Sequence, residues 1–408
     1  MDLYNAITSS VRRYDFHLAQ RLVYTYDLTN LPKFLRKFIK IPEVVVQPEN
    51  SEEVSIILKV AKELGIPVVP RGSATSAYCG AIPIYGGIVV DFSRMNRFKI
   101  CKDKKVVVAE SGAIWWEIEK ELNKYGLSLR VYPTSAPAST VGGWIAQNGY
   151  GVGSLKYGSI GENIKWIEVV DFNGIRVVSG CDLKYYIGLS GTTGLITKAC
   201  IRVRENKCIK CFALELDVPC INFKNAYYAV FMNKKFLELM GIDSKDLILV
   251  CFEGDVDFEG DYELGKTLWD LRFQQIKTKD VTMAEVIIPY ETLIDFYKEI
   301  LKFNPALEIV FTKDCAIVFA LFLVKNPLNY FLSLIKALKI IKIAEKFGGR
   351  PYTTGALFSH KSQRVYKNYE EFVRFKRKVD PQNLLNPGKV FNENKLSTLV
   401  KFFEKLIN

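Results

Sequence analysis

The sequence predicts an α+β protein of two principal domains, and three observations support this fold class. Its 408 residues exceed a typical domain of roughly 100–200 residues. Strand and helix patterns run to about residue 205 and start again from about residue 208. Three loops rich in glycine and small residues lie before that break. We therefore divide the chain into an N-terminal segment 1–40, a first domain 41–205, a second domain 206–342 and a C-terminal return segment 343–408.

The first domain begins with a predicted strand within residues 41–48, which prolines bound. A helix is predicted over residues 51–64, because Ser51 can cap its N-terminus and Gly65 can end it. A second helix is predicted over residues 114–125. The remaining hydrophobic runs predict strands at 67–69, 86–91, 105–110, 164–171 and 195–204. Strands and helices mixed within one domain indicate the α+β class.

The second domain repeats this mixture of elements. Hydrophobic patterns predict strands at 212–217, 247–253 and 316–324, and helices at 223–239, 291–301 and 328–347. The run 315–324 is the longest apolar stretch, and a membrane helix needs about 20 apolar residues. It is therefore predicted to be a buried strand, and no membrane span is expected.

Composition and charge narrow the class of protein. Apolar residues make up 49% and charged residues 25% of the chain, which excludes a disordered, collagen-like or disulfide-scaffold protein. A net charge of +12 favours acidic substrates, phosphate-bearing cofactors, anionic membrane surfaces or nucleic acid. No basic stripe interleaved with aromatic residues is evident, so nucleic acid is not expected to be a partner.

The nine cysteines are scattered and follow no disulfide spacing, and no signal peptide precedes them. They are therefore predicted to be reduced thiols, including the pair Cys208 and Cys211, whose single CxxC lacks a second pair for zinc. The predicted location is the cytoplasm, either free or peripheral at the inner face of the membrane. The C-terminal apolar helical face, which includes Leu396 and Phe403, either packs back on the body or contacts a membrane or subunit.

The first small-residue loop, residues 70–76, directly follows a predicted strand. Small side chains let backbone N–H groups approach a phosphate, and the hydroxyls of Ser73, Thr75 and Ser76 add donors. The loop lacks both the Walker pattern and GxGxxG, and an ordinary surface loop is the alternative. Two further runs, residues 133–151 and 188–197, are too rich in small residues for core elements, although the latter alone could be a bulged hairpin.

Three such loops, in this order and spacing, resemble the FAD-binding domain of the vanillyl-alcohol oxidase and p-cresol methylhydroxylase (PCMH) superfamily. The resemblance covers about residues 41–204 and includes Gly86-Gly87, the run Ser139-Thr140-Val141-Gly142-Gly143-Trp144, and Tyr157-Gly158. Residues 380–389 resemble the closing motif of the FAD-linked oxidase branch, which contains D-lactate dehydrogenases and glycolate oxidase subunits. The resemblance implies a two-subdomain FAD-binding PCMH-type domain followed by an FAD-linked oxidase C-terminal cap domain.

The resemblance also implies which residues hold FAD. Residues 70–76 would hold the pyrophosphate, 134–140 and 147–150 would line the flavin and ribityl chain, and 190–196 would meet the adenine end. Thr75 stands where histidyl-linked members carry His, so non-covalent FAD is expected. The predicted cofactor-binding residues are Pro70, Arg71, Gly72, Ser73, Ala74, Thr75, Ser76, Thr134, Ser135, Ser139, Thr140, Gly142, Gly143, Gln147, Asn148, Gly149, Tyr150, Ser190, Gly191, Thr192, Gly194, Ile196 and Asn386.

The chain departs from the family at the predicted active site. Hydroxy-acid dehydrogenases of this branch carry a Gly-Glu-His-Gly segment and a His-rich metal motif, whereas Ala356-Leu357 stands at the Glu-His pair here. With two histidines in all, His17 and His360, no metal site is expected.

Five residues are therefore predicted to be catalytic. Arg350 and Arg272 are candidate carboxylate clamps, and Tyr352 and His360 are candidates for the proton-accepting group. Lys389 lies in the closing motif, where a cation could stabilise reduced flavin. For His360 a solvent-facing position is the alternative, and for Arg272 a surface salt bridge is the alternative.

The function that the resemblance implies is FAD-dependent oxidation of a small 2-hydroxy acid, such as D-lactate or glycolate, by hydride transfer to flavin. Electrons would pass on to a quinone, cytochrome, partner subunit or oxygen. Arg350-Pro351-Tyr352 also resembles the Arg-Pro-His segment of aldonolactone and sugar-alcohol oxidases, which makes such a substrate the first alternative. The run 139–144 likewise prompts an alkyl-glycerone-phosphate synthase. A non-catalytic FAD-binding electron-transfer subunit of a larger complex is a further alternative.

Overall fold

The computed structural model of this protein describes residues 2–29, 31–220, 223, 225–273 and 280–407. Within these residues the strands form three sheets. The α-helices are α1 Leu3–Ser10, α2 Leu18–Val23, α3 Ser51–Leu64, α4 Trp115–Asn123, α5 Val141–Ala146, α6 Ser154–Tyr157, α7 Lys234–Met240, α8 Tyr262–Asp270, α9 Tyr290–Ile300, α10 Pro327–Lys346, α11 Ser362–Val365, α12 Tyr369–Val379 and α13 Lys395–Leu406. Short 3₁₀ helices include Lys33–Phe38, Leu271–Phe273 and Ser359–Lys361. The predicted α+β class is confirmed.

The first sheet contains β1 Tyr14–Asp15, β2 Val44–Val46, β3 Val68–Arg71 and β4 Ile88–Asp91, in the order β1-β2-β4-β3. β2 and β3 both pair with β4 in parallel, and α3 buries Val54, Ile57 and Leu58 in the same core. The predicted helix at 51–64 is confirmed, and Gly65 ends it with a φ of 65°. Its N-cap is Asn50 rather than Ser51, because the Asn50 side chain accepts the Glu53 N–H.

The second sheet contains β5 Phe98–Cys101, β6 Val106–Glu110, β7 Leu127–Leu129, β8 Ile164–Asp171, β9 Gly174–Ser179 and β10 Leu195–Glu205. Its order is β5-β6-β10-β8-β9, with β7 also paired to β10. β10 is the long central strand, and α4 and α5 contribute to the same core. The strands predicted at 105–110, 164–171 and 195–204 are confirmed.

The third sheet contains β11 Ile209–Glu215, β12 Tyr228–Met232, β13 Leu247–Glu253, β14 Val281–Ile288, β15 Ala306–Phe311, β16 Ala316–Leu323 and β17 Arg350–Pro351. All its pairings are antiparallel, in the order β11-β13-β12-β15-β16-β14-β17. Ala284, Val286 and Ile288 of β14 pack into the same core as α9 and α10. The intervening residues of β14 therefore face the other side of the sheet.

The helix predicted over residues 223–239 is wrong, because this stretch contains the strand β12 followed by α7. All five residues of β12 are buried, since the strand lies between β13 and β15. A strand buried on both faces reads as a continuous apolar run, which periodicity cannot distinguish from a helix. Asn233 caps α7 by accepting the Phe236 N–H, and this cap marks the change of element.

The prediction that all cysteines are reduced thiols is also wrong, because Cys211 and Cys251 form a disulfide between β11 and β13. The two residues are direct cross-strand partners in the antiparallel pair. Their separation of 40 residues hides this contact from the sequence. Cys208, the other member of the CxxC, is an exposed free thiol.

The return segment, residues 343–408, contacts both the first sheet and the core under the third sheet. Leu384 accepts the backbone N–H of Val68, and the Asn386 N–H donates to the carbonyl of Val68. α13 buries Leu396 and packs Leu399 and Phe403 on the core under the third sheet. Its predicted apolar face thus packs on the body. No helix in the described ranges combines the length and the apolar character needed to cross a bilayer.

Candidate active site

A cavity of about 590 Å³ lies between the small-residue loops and the third sheet. One wall contains all of residues 70–76 together with residues of the two later loops. The opposite wall comes mainly from the third sheet and the 3₁₀ helix Leu271–Phe273, and we call it the cap wall. The predicted cofactor residues that line the cavity are Pro70, Arg71, Gly72, Ser73, Ala74, Thr75, Ser76, Thr134, Ser135, Ser139, Thr140, Gly142, Gly143, Gln147, Tyr150, Ser190, Gly191, Ile196 and Asn386. Three loops distant in sequence therefore form one surface.

The loop wall consists mainly of backbone and hydroxyl groups. The Thr75 hydroxyl lies 2.9 Å from that of Ser139, which also contacts the Ser135 hydroxyl. Ala74 and Ser190 adopt positive φ values of 55° and 54°. Such conformations are uncommon for residues other than glycine and cluster at binding sites. Residues that line the cavity therefore adopt backbone conformations typical of binding sites.

Two observations test whether this wall suits FAD. The Asn386 side chain donates to the Ser190 carbonyl at 2.7 Å, while its buried Oδ1 has no hydrogen-bond partner in the described ranges. An ordinary buried amide oxygen is paired, so this atom is available to a ligand. At Gly143 an added Cβ would meet only the Thr140 hydroxyl, at 3.0 Å, and otherwise open cavity. The small-residue wall, its hydroxyl groups and the unpaired acceptor fit a large phosphate-bearing cofactor.

Arg71 has a second role that its place in the loop did not predict. Its guanidinium donates to the carbonyl oxygens of Tyr24, Tyr26 and Ala81 and lies 5.0 Å from the Tyr24 ring. The Arg71 side chain therefore links the first loop to the N-terminal segment, and its guanidinium binds backbone carbonyl oxygens of the protein.

Arg272 supplies a buried cation on the cap wall. Its guanidinium lies over the rings of Trp269, at 4.0 Å, and Phe273, at 4.3 Å, and donates to the Trp269 carbonyl. Its Nε has no hydrogen-bond partner within the described ranges, and no ion pair joins Arg272 to a carboxylate there. A buried cation without a counterion is costly unless it binds an anion. The alternative of a surface salt bridge is therefore wrong.

Glu285 lies on the same cap wall, and the sequence analysis missed it. This residue of β14 is buried, lines the cavity and is the cross-strand partner of Phe319. Burial raises the pKa of its carboxyl to about 7, with no opposing contribution from a cation. The one available signal was a lone acidic residue in the apolar run 281–288. A carboxyl that titrates near neutral pH in a cavity suits proton transfer.

Tyr352 joins the two walls. Its hydroxyl accepts the Tyr150 backbone N–H at 2.8 Å, and its own N–H donates to the Glu285 carbonyl. Burial raises the pKa of Tyr352, so the phenol stays protonated. Beside it, Thr353 donates to the Gln147 side chain at 2.7 Å. The loop 147–150 and the return segment are thus held together at the cavity.

Arg350 lies in a second cavity of about 420 Å³ that shares the wall formed by Gln147, Tyr150 and Tyr352. Its guanidinium donates to the Pro351 carbonyl. Asn148 also lines this second cavity, and its Oδ1 accepts the Gly161 N–H. The structure therefore separates Arg350 from Arg272.

Two predicted catalytic residues line neither cavity. The His360 imidazole contacts the Glu404 carboxylate at 3.1 Å beneath α13. Lys389 is fully buried, and its Nζ donates to the carbonyl oxygens of Cys79 and Ile82. Burial lowers the pKa of Lys389 to about 8. Both side chains hold together parts of the return segment and its neighbours.

Three predicted cofactor residues also lie outside the two cavities. Thr192 is buried and donates to the Leu189 carbonyl. Gly149 lies against the Trp144 indole, where a Cβ would approach Nε1 to 1.9 Å. Gly194 lies against the Tyr186 ring. Close packing within the loops accounts for all three small or polar residues.

Comparisons with known proteins agree with this geometry. A family model described as an FAD-binding domain matches residues 42–180. The glycolate oxidase subunit GlcD of Bacillus subtilis is 34% identical over 206 residues, which are 48% of this chain and 43% of that protein. A D-lactate dehydrogenase of Archaeoglobus fulgidus is 38% identical over 170 residues, covering 39% of this chain and 38% of that protein. The chain thus matches less than half the length of these relatives.

Solved structures extend the likeness to the whole fold. A structure of alkyldihydroxyacetonephosphate synthase superposes with a TM-score of 0.71 at 17% identity, covering 95% of this chain and 84% of that one. A second crystal form gives a TM-score of 0.69 at 18% identity, covering 92% and 83%. At this identity the likeness shows the fold, including the cap sheet that the family model does not reach.

Proposed function

We propose that this chain, whose residues 42–180 match an FAD-binding domain, is a member of the PCMH-type FAD-binding superfamily and oxidises a small 2-hydroxy acid such as D-lactate or glycolate, with FAD as its cofactor. The observation that carries the proposal is the cap wall, where a guanidinium that makes no ion pair with any described residue and a carboxyl with a pKa of about 7 line the same cavity as the FAD loops. When bound, FAD supplies an acceptor for the hydride that leaves the hydroxyl-bearing carbon.

The loop wall holds the cofactor. Backbone N–H groups of residues 70–76 and the hydroxyls of Ser135 and Ser139 suit its pyrophosphate, and Asn386 offers its unpaired Oδ1 to a donor group. Thr75 provides no imidazole for a covalent link, so the cofactor is held non-covalently. This arrangement leaves the cap wall free to bind substrate.

Arg272 binds the substrate carboxylate. The guanidinium presents a planar set of donors that matches a carboxylate, and it packs against the rings of Trp269 and Phe273. Because the residue is largely buried, the ion pair forms away from bulk water and is stronger than a surface pair. This contact favours hydroxy acids over neutral alcohols.

Glu285 accepts the proton of the substrate hydroxyl. Its pKa of about 7 makes the carboxylate available at neutral pH while keeping it a stronger base than an exposed glutamate. Its neighbour Tyr352 remains a neutral phenol that can donate to the substrate or to a bound water. Glu285 thus takes the role that the missing Glu-His pair leaves open.

A sugar alcohol is the second candidate substrate, and the second cavity favours it. That cavity meets the main one at Gln147, Tyr150 and Tyr352, and Arg350 and Lys367 add polar groups. A polyol could extend through this shared wall, whereas a two- or three-carbon acid would not reach it. A partner takes the electrons onward, and a quinone, cytochrome, subunit or oxygen is each compatible with the proposal. The proposed location is the cytoplasm or the inner face of the membrane.

The test is an anaerobic visible spectrum of the purified holoprotein before and after addition of D-lactate, glycolate or a panel of polyols. We expect flavin bands near ~450 nm that bleach with a 2-hydroxy acid. Bleaching by polyols alone would replace the hydroxy-acid assignment with the second candidate. Bands that no alcohol or acid bleaches would make the chain a partner-dependent FAD subunit.

A further inference from the structure

Three segments border one another on the surface beside the cap. The 3₁₀ helix Lys33–Phe38 contacts α13, and its Arg36 lies 4.0 Å from the Tyr26 ring. Burial raises the pKa of Tyr330, in the first turn of α10, and the charge of Arg36 partly offsets this rise, so Arg36 also lies near α10. We call residues 31–41, 327–346 and 395–407 together the basic face. Residues far apart in sequence thus share one region.

Besides the apolar side chains that pack on the core, the basic face has several large apolar side chains that are exposed. α13 packs on the core through Leu396, Leu399 and Phe403, and α10 buries Leu338 and Ile341. The side chains left in solvent include Leu328, which is 70% exposed, and Phe34, which is 57% exposed. The others are Phe331, Leu332, Phe402 and Leu406. Such clustering marks an interaction surface more often than scattered exposed leucines do.

Charge on the basic face is strongly one-sided. Its three segments contain eleven Lys and Arg residues and two Glu residues, Glu345 and Glu404. Both glutamates are already engaged, since they pair with Lys361. Lys33, Lys37 and Lys40 are exposed, and no ion pair holds any of them in the described ranges. Most of the net charge of +12 therefore lies in this region.

We propose that the basic face binds the surface of an anionic phospholipid bilayer. Exposed lysines attract acidic headgroups, and the exposed Phe and Leu side chains enter the boundary between headgroups and acyl chains. An acidic protein would satisfy the lysines but would need a matching pocket for each of the exposed apolar side chains. A bilayer satisfies both features without any shape complementarity.

The basic face also lies close to the FAD cavity. Leu28 is 67% exposed and lines the cavity, and Arg36 contacts Tyr26 two residues away from it. Bound at the membrane, the protein presents this edge of the cavity toward the lipid, where an apolar electron acceptor is dissolved. Lipid binding goes beyond the proposed oxidation and does not depend on it.

The experiment is co-sedimentation of the purified holoprotein with phosphatidylcholine vesicles that contain or lack phosphatidylglycerol. We expect binding to the anionic vesicles that weakens with added salt, and at least about tenfold weaker binding to pure phosphatidylcholine. The variant K33E/K37E/K40E should lose at least about tenfold in affinity. The matched control K59E/K104E/K207E reverses three exposed lysines elsewhere and should bind like the wild type.

A second variant separates the apolar from the ionic contribution. F34S/F331S/F402S keeps every charge, and we expect it to bind more weakly and to dissociate more completely in high salt. Each variant should retain its flavin spectrum and its hydroxy-acid activity with a water-soluble acceptor, which shows that it is folded. The proposal is overturned if the wild type ignores anionic vesicles, or if the lysine reversal binds as tightly as its control; either result would leave a protein partner for this face.

Discussion

The two walls of the main cavity differ in the kind of group that each presents. The loop wall presents backbone and hydroxyls from three glycine-rich segments, and its shape depends on residues such as Gly143 that carry no functional group. The cap wall presents the charges of Arg272 and Glu285 from a sheet and a 3₁₀ helix without any recognisable motif. Close approach of a cofactor to the backbone requires small residues at fixed positions in the sequence. Catalysis requires only a few reactive side chains that the fold brings together. Motifs therefore reveal the first wall, and geometry reveals the second.

The largest expected effect breaks the loop wall. Gly143→Val adds a branched side chain where only the Thr140 hydroxyl and open cavity now lie, so we expect complete loss of bound FAD. The measurement is the ratio of flavin to protein absorbance after gel filtration. Gly143→Ala is the graded control and should retain part of the flavin. A full flavin complement in the valine variant would refute the assignment of this wall.

The next largest effect is expected from a substitution that removes the proposed base from the cap wall. Glu285→Gln should lower kcat by about a thousandfold, because a general base contributes about 10²–10⁴ in rate. In the wild type, kcat/KM should fall as the pH drops through about 7, because protonation of Glu285 removes the base. The glutamine variant should lack this limb of the pH profile.

Glu308→Gln is the matched control for the base. Glu308 is buried in the same sheet with a pKa also raised to about 7, yet it does not line the cavity. Its variant should keep both the rate and the pH profile. Equal losses in the two variants would assign the pH limb to sheet stability instead of to catalysis.

A smaller effect removes the cation from the cap wall. Arg272→Met should raise KM for a hydroxy acid by about a hundredfold, since a lost charge-assisted contact costs roughly 2–3 kcal/mol. FAD content should be unchanged, because the loops hold the cofactor. Arg94→Met removes an exposed arginine and serves as the control in the steady-state assay. An unchanged KM would exclude Arg272 as the carboxylate clamp.

The smallest effect concerns a residue behind both walls. Lys389→Met leaves the Cys79 and Ile82 carbonyls without their donor, so we expect the free energy of unfolding to fall by about 2 kcal/mol. Denaturant unfolding measures this loss, and Lys104→Met at an exposed position is the control. A shifted flavin reduction potential with unchanged stability would return Lys389 to the role of a cation beside the flavin.

Much of the fold could be predicted from hydrophobic periodicity. The strands β8 and β13 lie at the predicted bounds, and α3 spans the predicted residues. β12 was mistaken for a helix because burial on both faces removes the alternation that marks a strand. The Cys211–Cys251 disulfide was missed because cross-strand register decides it.

The candidate site divides in the same way. Most predicted FAD residues line the cavity, because each loop is a contiguous run whose composition is visible in the sequence. Arg350, Tyr352 and His360 were all predicted to be catalytic and are near one another in the sequence. Arg350 and Tyr352 both line the second cavity, but His360 lies beneath α13. A turn changes the direction of a side chain within one or two residues, so such nearness does not predict a shared site.

The sequence by itself determined the α+β class, the three small-residue loops and hence the FAD wall, because steric permissiveness is a property of individual residues in a row. The tertiary structure alone decided that Arg272 and Glu285 share a cavity, and that residues 31–41, 327–346 and 395–407 form one basic face. The burial that raises the Glu285 pKa, and the position of Arg272 away from any ion pair with the described residues, depend on the packing of distant segments. Such long-range contacts leave no local pattern in the sequence, so the candidate catalytic pair could be identified only in the folded structure.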